Sequence, residues 1–110
     1  FFFPEIDIGI PFLPGMIAFL KKAIPYDTFN EMALTGKRYT AKEMAACGVL
    51  VKACESEEAL IAETMAFAKS LQKKRGVFGE MKRRLHAGIV EIIDKEDPKY
   101  IEPLKLFWKD

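Results

Sequence analysis

Glu5 is the residue whose sequence neighbours best suit it to proton transfer. It stands between Pro4 and Ile6 in an opening stretch, FFFPEIDIGI, that is otherwise almost entirely apolar. A carboxylate among apolar groups loses hydration, which disfavours its charged form and suits it to take up and return a proton. A solvent-exposed glutamate at the end of a strand is the alternative interpretation. The pattern therefore makes Glu5 a candidate general acid/base.

The other reactive side chains have no motif partners. His86 is the only histidine and lies in a basic, amphipathic segment, which favours a packing or surface role. Cys47 and Cys54 do not have metal-ligand spacing, so we expect free thiols in a reducing intracellular compartment: peroxisome, mitochondrion or cytoplasm. The serines lie in no nucleophile motif and the glycines form no phosphate-binding loop. The sequence predicts no metal site and no permanently bound cofactor.

Composition indicates one domain with a substantial core and little charge bias. Of 110 residues, 50% are hydrophobic, and 17 basic residues nearly balance 16 acidic ones. A dedicated nucleic-acid binder is normally more basic, and no apolar run approaches the roughly 20 residues that span a bilayer. We therefore expect neither a nucleic-acid nor a membrane partner. Residues 69–86 are locally basic, which indicates either a solvated helix face or an anion site.

The secondary-structure elements that position Glu5 are predicted from the periodicity of apolar residues and from the positions of proline and glycine. Residues 1–8 alternate weakly and are rich in Phe and Ile, which predicts a short buried strand. Pro11 and Pro14 place 9–14 in a loop. Helices are predicted over 16–24 and 26–34, the second ending at Gly36 in the left-handed conformation.

The rest of the chain is predicted to be mainly helical. Thr40 and Glu43 fit a capping box that opens a helix ending at Gly48, and 49–51 is expected to be a short strand or extended segment. The longest helix is expected to begin near Glu57 and close at Gly76. Two more helices are predicted over 78–93 and within 98–108.

Four sequence pieces in series resemble the C-terminal half of the enoyl-CoA hydratase/isomerase (crotonase) superfamily. The stretches that carry the resemblance are FPEIDIGI, MALTGKRYTAKEMAACGVLVKAC and EEALIAETMAFAKSL. The pieces are Pro4-Glu5-Ile6, Leu34-Thr35-Gly36, Ala41-Lys42-Glu43-Met44 and Gly48-Val49-Leu50-Val51. Each piece is weak alone, but their order and spacing over residues 3–72 are specific to the superfamily.

The resemblance implies a fold class and a division of the chain. It implies an α/β protein with the crotonase-like spiral ββα fold, of which this chain supplies the last core strand or strands and the mainly helical C-terminal part. Residues 1–72 would complete the core, and residues 73–110 would form C-terminal helices for oligomerisation. We expect the oxyanion hole, two backbone amides that hold the thioester oxygen, to lie in a missing N-terminal half. These 110 residues alone are then expected to be inactive.

The resemblance also implies a reaction. In the superfamily the glutamate at this position is the catalytic acid/base beside the acyl chain of a coenzyme A thioester, as in fatty acid β-oxidation. Phe12 and Leu13 stand where hydratases have small residues, and such bulky apolar groups exclude water. The chain is thus most similar to the enoyl-CoA delta isomerases, which shift a double bond between positions 3 and 2. An enoyl-CoA hydratase, or an inactive assembly or RNA-binding member, is the alternative.

Further site residues follow from the same resemblance. Ile6, Ile8, Phe12 and Leu13 are expected to bind the acyl chain. For the CoA phosphates we favour Lys105 and Lys109, with Phe107 against the adenine, because lysines four residues apart share a helix face. The C-terminal helices are expected to build a homotrimer or hexamer. Its proposed contact residues are Tyr100, Ile101, Leu104, Phe107 and Trp108.

Overall fold

A computed structural model shows a helical chain and describes residues 1–103 and 106–108. Within those residues there are seven helices and no strand. They are α1 (Glu5–Ile8), α2 (Pro14–Ala23), α3 (Tyr26–Thr35), α4 (Ala41–Ala46), α5 (Glu57–Ser70), α6 (Arg75–Lys95) and α7 (Pro98–Ile101). None of the described helices is both long enough and apolar enough to cross a membrane.

A small core forms where the first four helices meet. Its buried side chains are Ile24, Phe29, Met32 and Met44. Phe3 and Phe12 pack against it, and Phe12 stacks on Phe29 with ring centroids 6.1 Å apart. Aromatic pairs of this kind add to the free energy of simple burial, so this cluster fixes the segment around residues 3–12 on α3.

A second contact joins α2 to the C-terminal part of the chain. Helix α2 packs against α6, and α6 continues through Asp97 into α7. The Asp97 side chain is buried, and its Oδ1 accepts a hydrogen bond of 2.8 Å from the backbone N–H of Gly15. The first N–H groups of a helix have no partner within it, so Asp97 caps α2 from 82 residues away in sequence.

Helix α5 and the first half of α6 leave much apolar surface uncovered. No residue of either helix is fully buried, and Leu60, Ile61, Met65 and Phe67 are all more than half exposed. The radius of gyration is 17.1 Å, against about 13 Å for a compact chain of this length. The accessible surface of 8871 Å² likewise exceeds the roughly 6,200 Å² of a typical monomer of this mass. The chain is therefore elongated.

Several predicted helix ends are confirmed. Helices α2 and α3 lie close to their predicted ranges, and Gly36 caps α3 at φ 70°. Thr40 Oγ1 accepts from the Glu43 N–H, and a Glu43 carboxylate oxygen accepts from the Thr40 N–H, which completes the capping box. Local side-chain chemistry fixes these ends, so sequence alone reveals them.

Neither predicted strand is present in the described residues. Residues 5–8 form the single helical turn α1, in which the N–H groups of Asp7 and Ile8 donate to the Pro4 carbonyl. Only Phe1 pairs in a strand-like way, through two 2.8 Å backbone bonds with Tyr39. Residues 49–51 bend, because the N–H groups of Val49 and Leu50 both turn back to the Met44 carbonyl. A strand needs a neighbouring strand to pair its backbone groups, whereas a turn satisfies them locally.

The predicted C-terminal boundaries also need correction. Helix α5 ends at Ser70, and Gly76 lies in the first turn of α6, which is the longer helix at 21 residues. Between these two helices Gln72 adopts a left-handed backbone conformation, at φ 37°, which interrupts the helical path. Helix α7 has only four residues, with Pro98 at its start and Pro103 beyond its end. Leu104 lies outside the described residues.

Candidate active site

Glu5 is the first residue of α1, and two backbone hydrogen bonds hold its carbonyl. Pro4 precedes it with helical dihedral angles, and the N–H groups of Gly9 and Ile10 both donate to the Glu5 carbonyl. Gly9 adopts φ 75°, a conformation that glycine reaches without steric cost. The backbone of Glu5 is thus fixed within one tight turn.

Glu5 lines an apolar cavity of about 610 Å³. Its Oε2 is buried and has no hydrogen-bond partner among the described residues. A buried polar oxygen without a partner costs free energy, so this atom is a candidate functional group. Among the described residues that line the cavity, Asn30 is the only other one whose side chain carries an amide or a charge.

The structure brings some of the expected acyl-binding residues to this cavity and not others. Ile6 and Phe12 line it together with Glu5. Leu13 instead lines a second cavity of about 870 Å³ between α2, α6 and the C-terminal segment. Ile8 lines neither cavity and is exposed.

The segment that ends α3 packs directly against α1. A Cβ at Gly36 would lie 2.9 Å from Asp7 Oδ2 and 3.5 Å from a methyl group of Ile6. Leu34 lines the cavity of Glu5 as well. Two sequence pieces about 30 residues apart, Pro4-Glu5-Ile6 and Leu34-Thr35-Gly36, therefore meet at one site.

A polar cluster of side chains helps to position residues 1–3, the segment that precedes Glu5. The Tyr39 hydroxyl donates to the Glu31 carboxylate, and the Lys37 ammonium lies 2.9 Å from it. These two contacts hold the pKa of Glu31 below its ordinary value, and the bond to Glu31 raises the pKa values of Tyr39 and Lys37. Because the Tyr39 backbone pairs with Phe1, the cluster helps to place residues 1–3.

The expected CoA-binding residues are only partly described. Lys105 and Lys109 lie outside the described residues. Phe107 lines the second cavity and is 67% exposed, so it lies at the cavity's rim. Lys21, which the sequence pattern did not single out, lines the same cavity.

The basic stretch is a solvated helix face in this structure. Arg83 and Arg84 both pair with Glu80, and Lys82 lies 5.8 Å from the Phe78 ring centroid. His86 contacts Lys22 through Nε2 and the lysine Nζ, which places it in the contact between α2 and α6. These contacts favour a packing role for His86.

The thiols and the metal-ligating residues add no further site. Cys47 and Cys54 are free and half-buried, and the Cys47 thiol donates to the Met44 carbonyl. Across residues 1–103 and 106–108, no three His, Cys, Asp or Glu side chains are grouped as metal ligands.

Sequence reasoning missed Asp97. It is 8% exposed and holds the N-terminus of α2, directly after the loop that carries Phe12. Because Asp97 directly precedes Pro98, the local sequence predicts only an ordinary helix start at this position. Its true partner, Gly15, is too distant in sequence for any local pattern to reveal.

Comparison with known proteins identifies a family. A profile of the enoyl-CoA hydratase/isomerase family matches residues 1–97. The chain therefore belongs to the enoyl-CoA hydratase/isomerase family. Searches of curated proteins and of solved structures found no match. Membership implies the crotonase fold, and since the described residues contain no strand, the α/β part of that fold stays a prediction.

Proposed function

We propose that the chain is part of an enoyl-CoA isomerase that shifts a double bond between positions 3 and 2 of a fatty acyl-CoA, with Glu5 as the proton carrier. The observation that supports this is Glu5 itself, which lines an apolar cavity and whose buried Oε2 has no hydrogen-bond partner among the described residues. The substrate is a coenzyme A thioester, and no permanently bound cofactor is required.

The proposed reaction needs one carboxylate. Glu5 takes a proton from C2 of the 3-enoyl thioester, and the electron pair moves into the thioester as a dienolate. The same carboxyl group then returns a proton to C4, and the double bond moves to C2–C3. Among the described residues no donor is hydrogen-bonded to Oε2, so this oxygen is not committed to another group.

The lining of the cavity supports isomerisation over hydration. Hydration requires a bound water that is activated and positioned by polar groups. Here Ile6, Phe12 and Phe29 line the cavity together with Glu5, and apolar walls disfavour an ordered water. Enoyl-CoA hydratase activity is therefore the alternative outcome of the assay below.

Charge that develops on the thioester oxygen must also be stabilised. We propose that backbone amides outside these 110 residues supply the oxyanion hole. Each such donor typically contributes about 3–4 kcal/mol to transition-state stabilisation. By this proposal Glu5 supplies proton transfer only, and the present chain alone does not turn over substrate.

Assembly and CoA binding are proposals that rest on the exposed C-terminal part. We propose a homotrimer or hexamer in which this part, including Tyr100, Ile101 and Trp108, is covered by neighbouring chain; Tyr100 and Ile101 are each more than two-fifths exposed. We also propose that Lys105, Lys109 and Phe107 contact the CoA of a neighbouring subunit. The outward exposure of Phe107 supports this arrangement, because one ring face is open to an adenine.

Glu5→Gln in the full-length protein tests the assignment. The amide keeps the size of the side chain but cannot carry the proton, so we expect isomerase turnover to fall by at least about a hundredfold with nearly unchanged acyl-CoA affinity. Glu43→Gln is the control, since that carboxylate only caps α4. Near-normal turnover of Glu5→Gln would exclude the role, and water addition by the wild type would indicate a hydratase.

A further inference from the structure

Asp97 is a buried carboxylate that the proposed reaction does not use. Its side chain is 8% exposed, and it is the one charged residue among those described that is buried. A buried carboxylate is costly unless hydrogen bonds hold it, and Oδ1 of Asp97 accepts a 2.8 Å bond from the Gly15 N–H. The backbone of Asp97 is fixed as well, because its carbonyl accepts the N–H groups of Tyr100 and Ile101 in α7. Asp97 therefore presents an acceptor in a fixed position to the start of α2.

Gly15 fits against this carboxylate without spare room. A Cβ at position 15 would lie 2.7 Å from Asp97 Oδ2 and 2.4 Å from Ile93 Cγ1, closer than real Cβ contacts. Glycine is thus the residue that lets the first turn of α2 approach the end of α6 this closely. The hydrogen bond and the close contact together fix the position of the N-terminus of α2.

The segment that Asp97 fixes forms one wall of the Glu5 cavity. Phe12 lines this cavity from the loop before α2, and Ile17 lines it from α2 itself, two residues after Gly15. A displacement of the start of α2 therefore moves two of the groups that would contact a ligand in this cavity.

The connection from α2 back to Glu5 is short and stiff. The Ile10 N–H donates 3.0 Å to the Glu5 carbonyl, and α2 begins only four residues later, at Pro14. Pro11 lies between them, and proline restricts its own φ angle. A change in the position of α2 is thus transmitted to the turn that carries Glu5, because the loop has little freedom to absorb it.

We infer that Asp97 is a positioning residue for the Glu5 site: it holds α2 so that the wall formed by that helix lies at the distance from Glu5 that proton transfer requires. This rests on the proposed function, because it takes Glu5 to be the proton carrier. A misplacement of about 1 Å in a reacting geometry can cost about a hundredfold in rate. The alternative is that Asp97 only stabilises α2, in which case catalysis by the folded protein does not depend on it.

Turnover of the full-length variants, measured at a temperature where all of them are folded, separates these two roles. Asp97→Ala removes the acceptor, so kcat for a 3-enoyl-CoA should fall about ten- to a hundredfold, with KM changed by less than about threefold. Asp97→Asn keeps an oxygen acceptor for the Gly15 N–H and should recover most of the lost kcat. A residue that only stabilises α2 would change the folded fraction and leave the kcat of the folded protein as it was.

Three further variants serve as matched measurements. Gly15→Ala disturbs the same contact from the side of α2 and should also lower kcat, so it provides the measurement if Asp97→Ala does not fold. Gly76→Ala makes the same change at the second residue of α6, where a Cβ meets nothing within 4 Å, and should leave kcat unchanged. Thr40→Ala removes the side-chain cap of α4, so it shows what a loss of stability alone does.

Hydrogen exchange tests the inference without relying on turnover. Gly9 and Ile10 donate their N–H groups to the Glu5 carbonyl, so their exchange reports on the turn that carries Glu5. In Asp97→Ala, peptides that cover these two residues should exchange at least about fivefold faster than in Thr40→Ala, as measured by mass spectrometry.

The outcomes keep the role of Asp97 apart from the identity of the reaction. A lower kcat in Asp97→Ala, its rescue in Asp97→Asn and faster exchange at Gly9 and Ile10 support the inference. If the wild type adds water instead of shifting a double bond, the isomerase proposal fails and the same kcat comparison is made on hydration. If the wild type does neither, the exchange rates alone decide. Wild-type kcat in folded Asp97→Ala, or exchange at Gly9 and Ile10 no faster than in Thr40→Ala, would overturn the inference.

Discussion

The hydrogen bond between Asp97 and Gly15 should be a principal support of α2, and its loss can be predicted in some detail. Asp97 Oδ1 lies 2.8 Å from the Gly15 nitrogen, and the Asp97 side chain is 8% exposed. Asp97→Ala leaves a buried N–H unsatisfied, at a cost of about 1–3 kcal/mol. It also removes a negative charge from the N-terminus of a helix, a further loss of about 0.3–1 kcal/mol. We therefore expect a decrease of about 2–3 kcal/mol in the free energy of unfolding.

Gly15→Ala tests the same contact from the other side. A Cβ at position 15 would lie 2.4 Å from Ile93 Cγ1 and 2.7 Å from Asp97 Oδ2, closer than real Cβ contacts. Overpacking of this kind costs about 1–3 kcal/mol, against a gain of up to about 1 kcal/mol in helix propensity. The net expectation is a destabilisation of about 1–2 kcal/mol.

Gly76→Ala is the matched control. Gly76 is the second residue of α6, as Gly15 is of α2, but a Cβ there meets nothing within 4 Å. We expect it to be neutral or stabilising by up to about 1 kcal/mol. Asp97→Asn keeps an acceptor oxygen for Gly15 and should fall between the wild type and Asp97→Ala.

Urea denaturation of the full-length variants, followed by circular dichroism, measures these differences. The reasoning would be refuted if Asp97→Ala lay within about 0.5 kcal/mol of the wild type, the range of ordinary surface changes. It would also fail if Gly15→Ala were as harmless as Gly76→Ala, because the structure distinguishes the two glycines only by their neighbours.

Two further predictions concern pH and assembly. Hydrogen bonds with the Thr40 backbone and side chain lower the pKa of Glu43 from its ordinary 4.5. The stability that the Glu43 carboxylate contributes is therefore fully present above pH 4.5, and it is lost as the pH falls through the lowered pKa. Glu43→Gln should therefore flatten the acid limb of a stability profile measured by urea denaturation from pH 3 to 7, and an unchanged limb would show that the capping box does not contribute. For assembly, light scattering of the full-length protein should give a trimer or hexamer, whereas a stable, unaggregated monomer would contradict that proposal.

The sequence by itself determined those features that depend on residues close together in the chain. The capping box of Thr40 and Glu43, the glycine end of α3 and the ranges of α2 and α3 follow from side chains within a few residues of each other. The family, too, was visible in short pieces in series, and a match over residues 1–97 supports it. Glu5 stood out because a carboxylate among apolar residues is conspicuous in any fold.

Only the tertiary structure decided those features that depend on contacts between residues far apart in the chain. Whether residues 5–8 form a strand or a turn depends on a neighbouring strand, and no alternation of Phe and Ile shows whether one is present. Leu13 and Phe12 are adjacent in sequence, yet Leu13 lines a different cavity from Glu5 because α6 lies against α2. Asp97 reaches Gly15 across 82 residues for the same reason. Helix periodicity shows which face is apolar, but only packing shows which faces are covered.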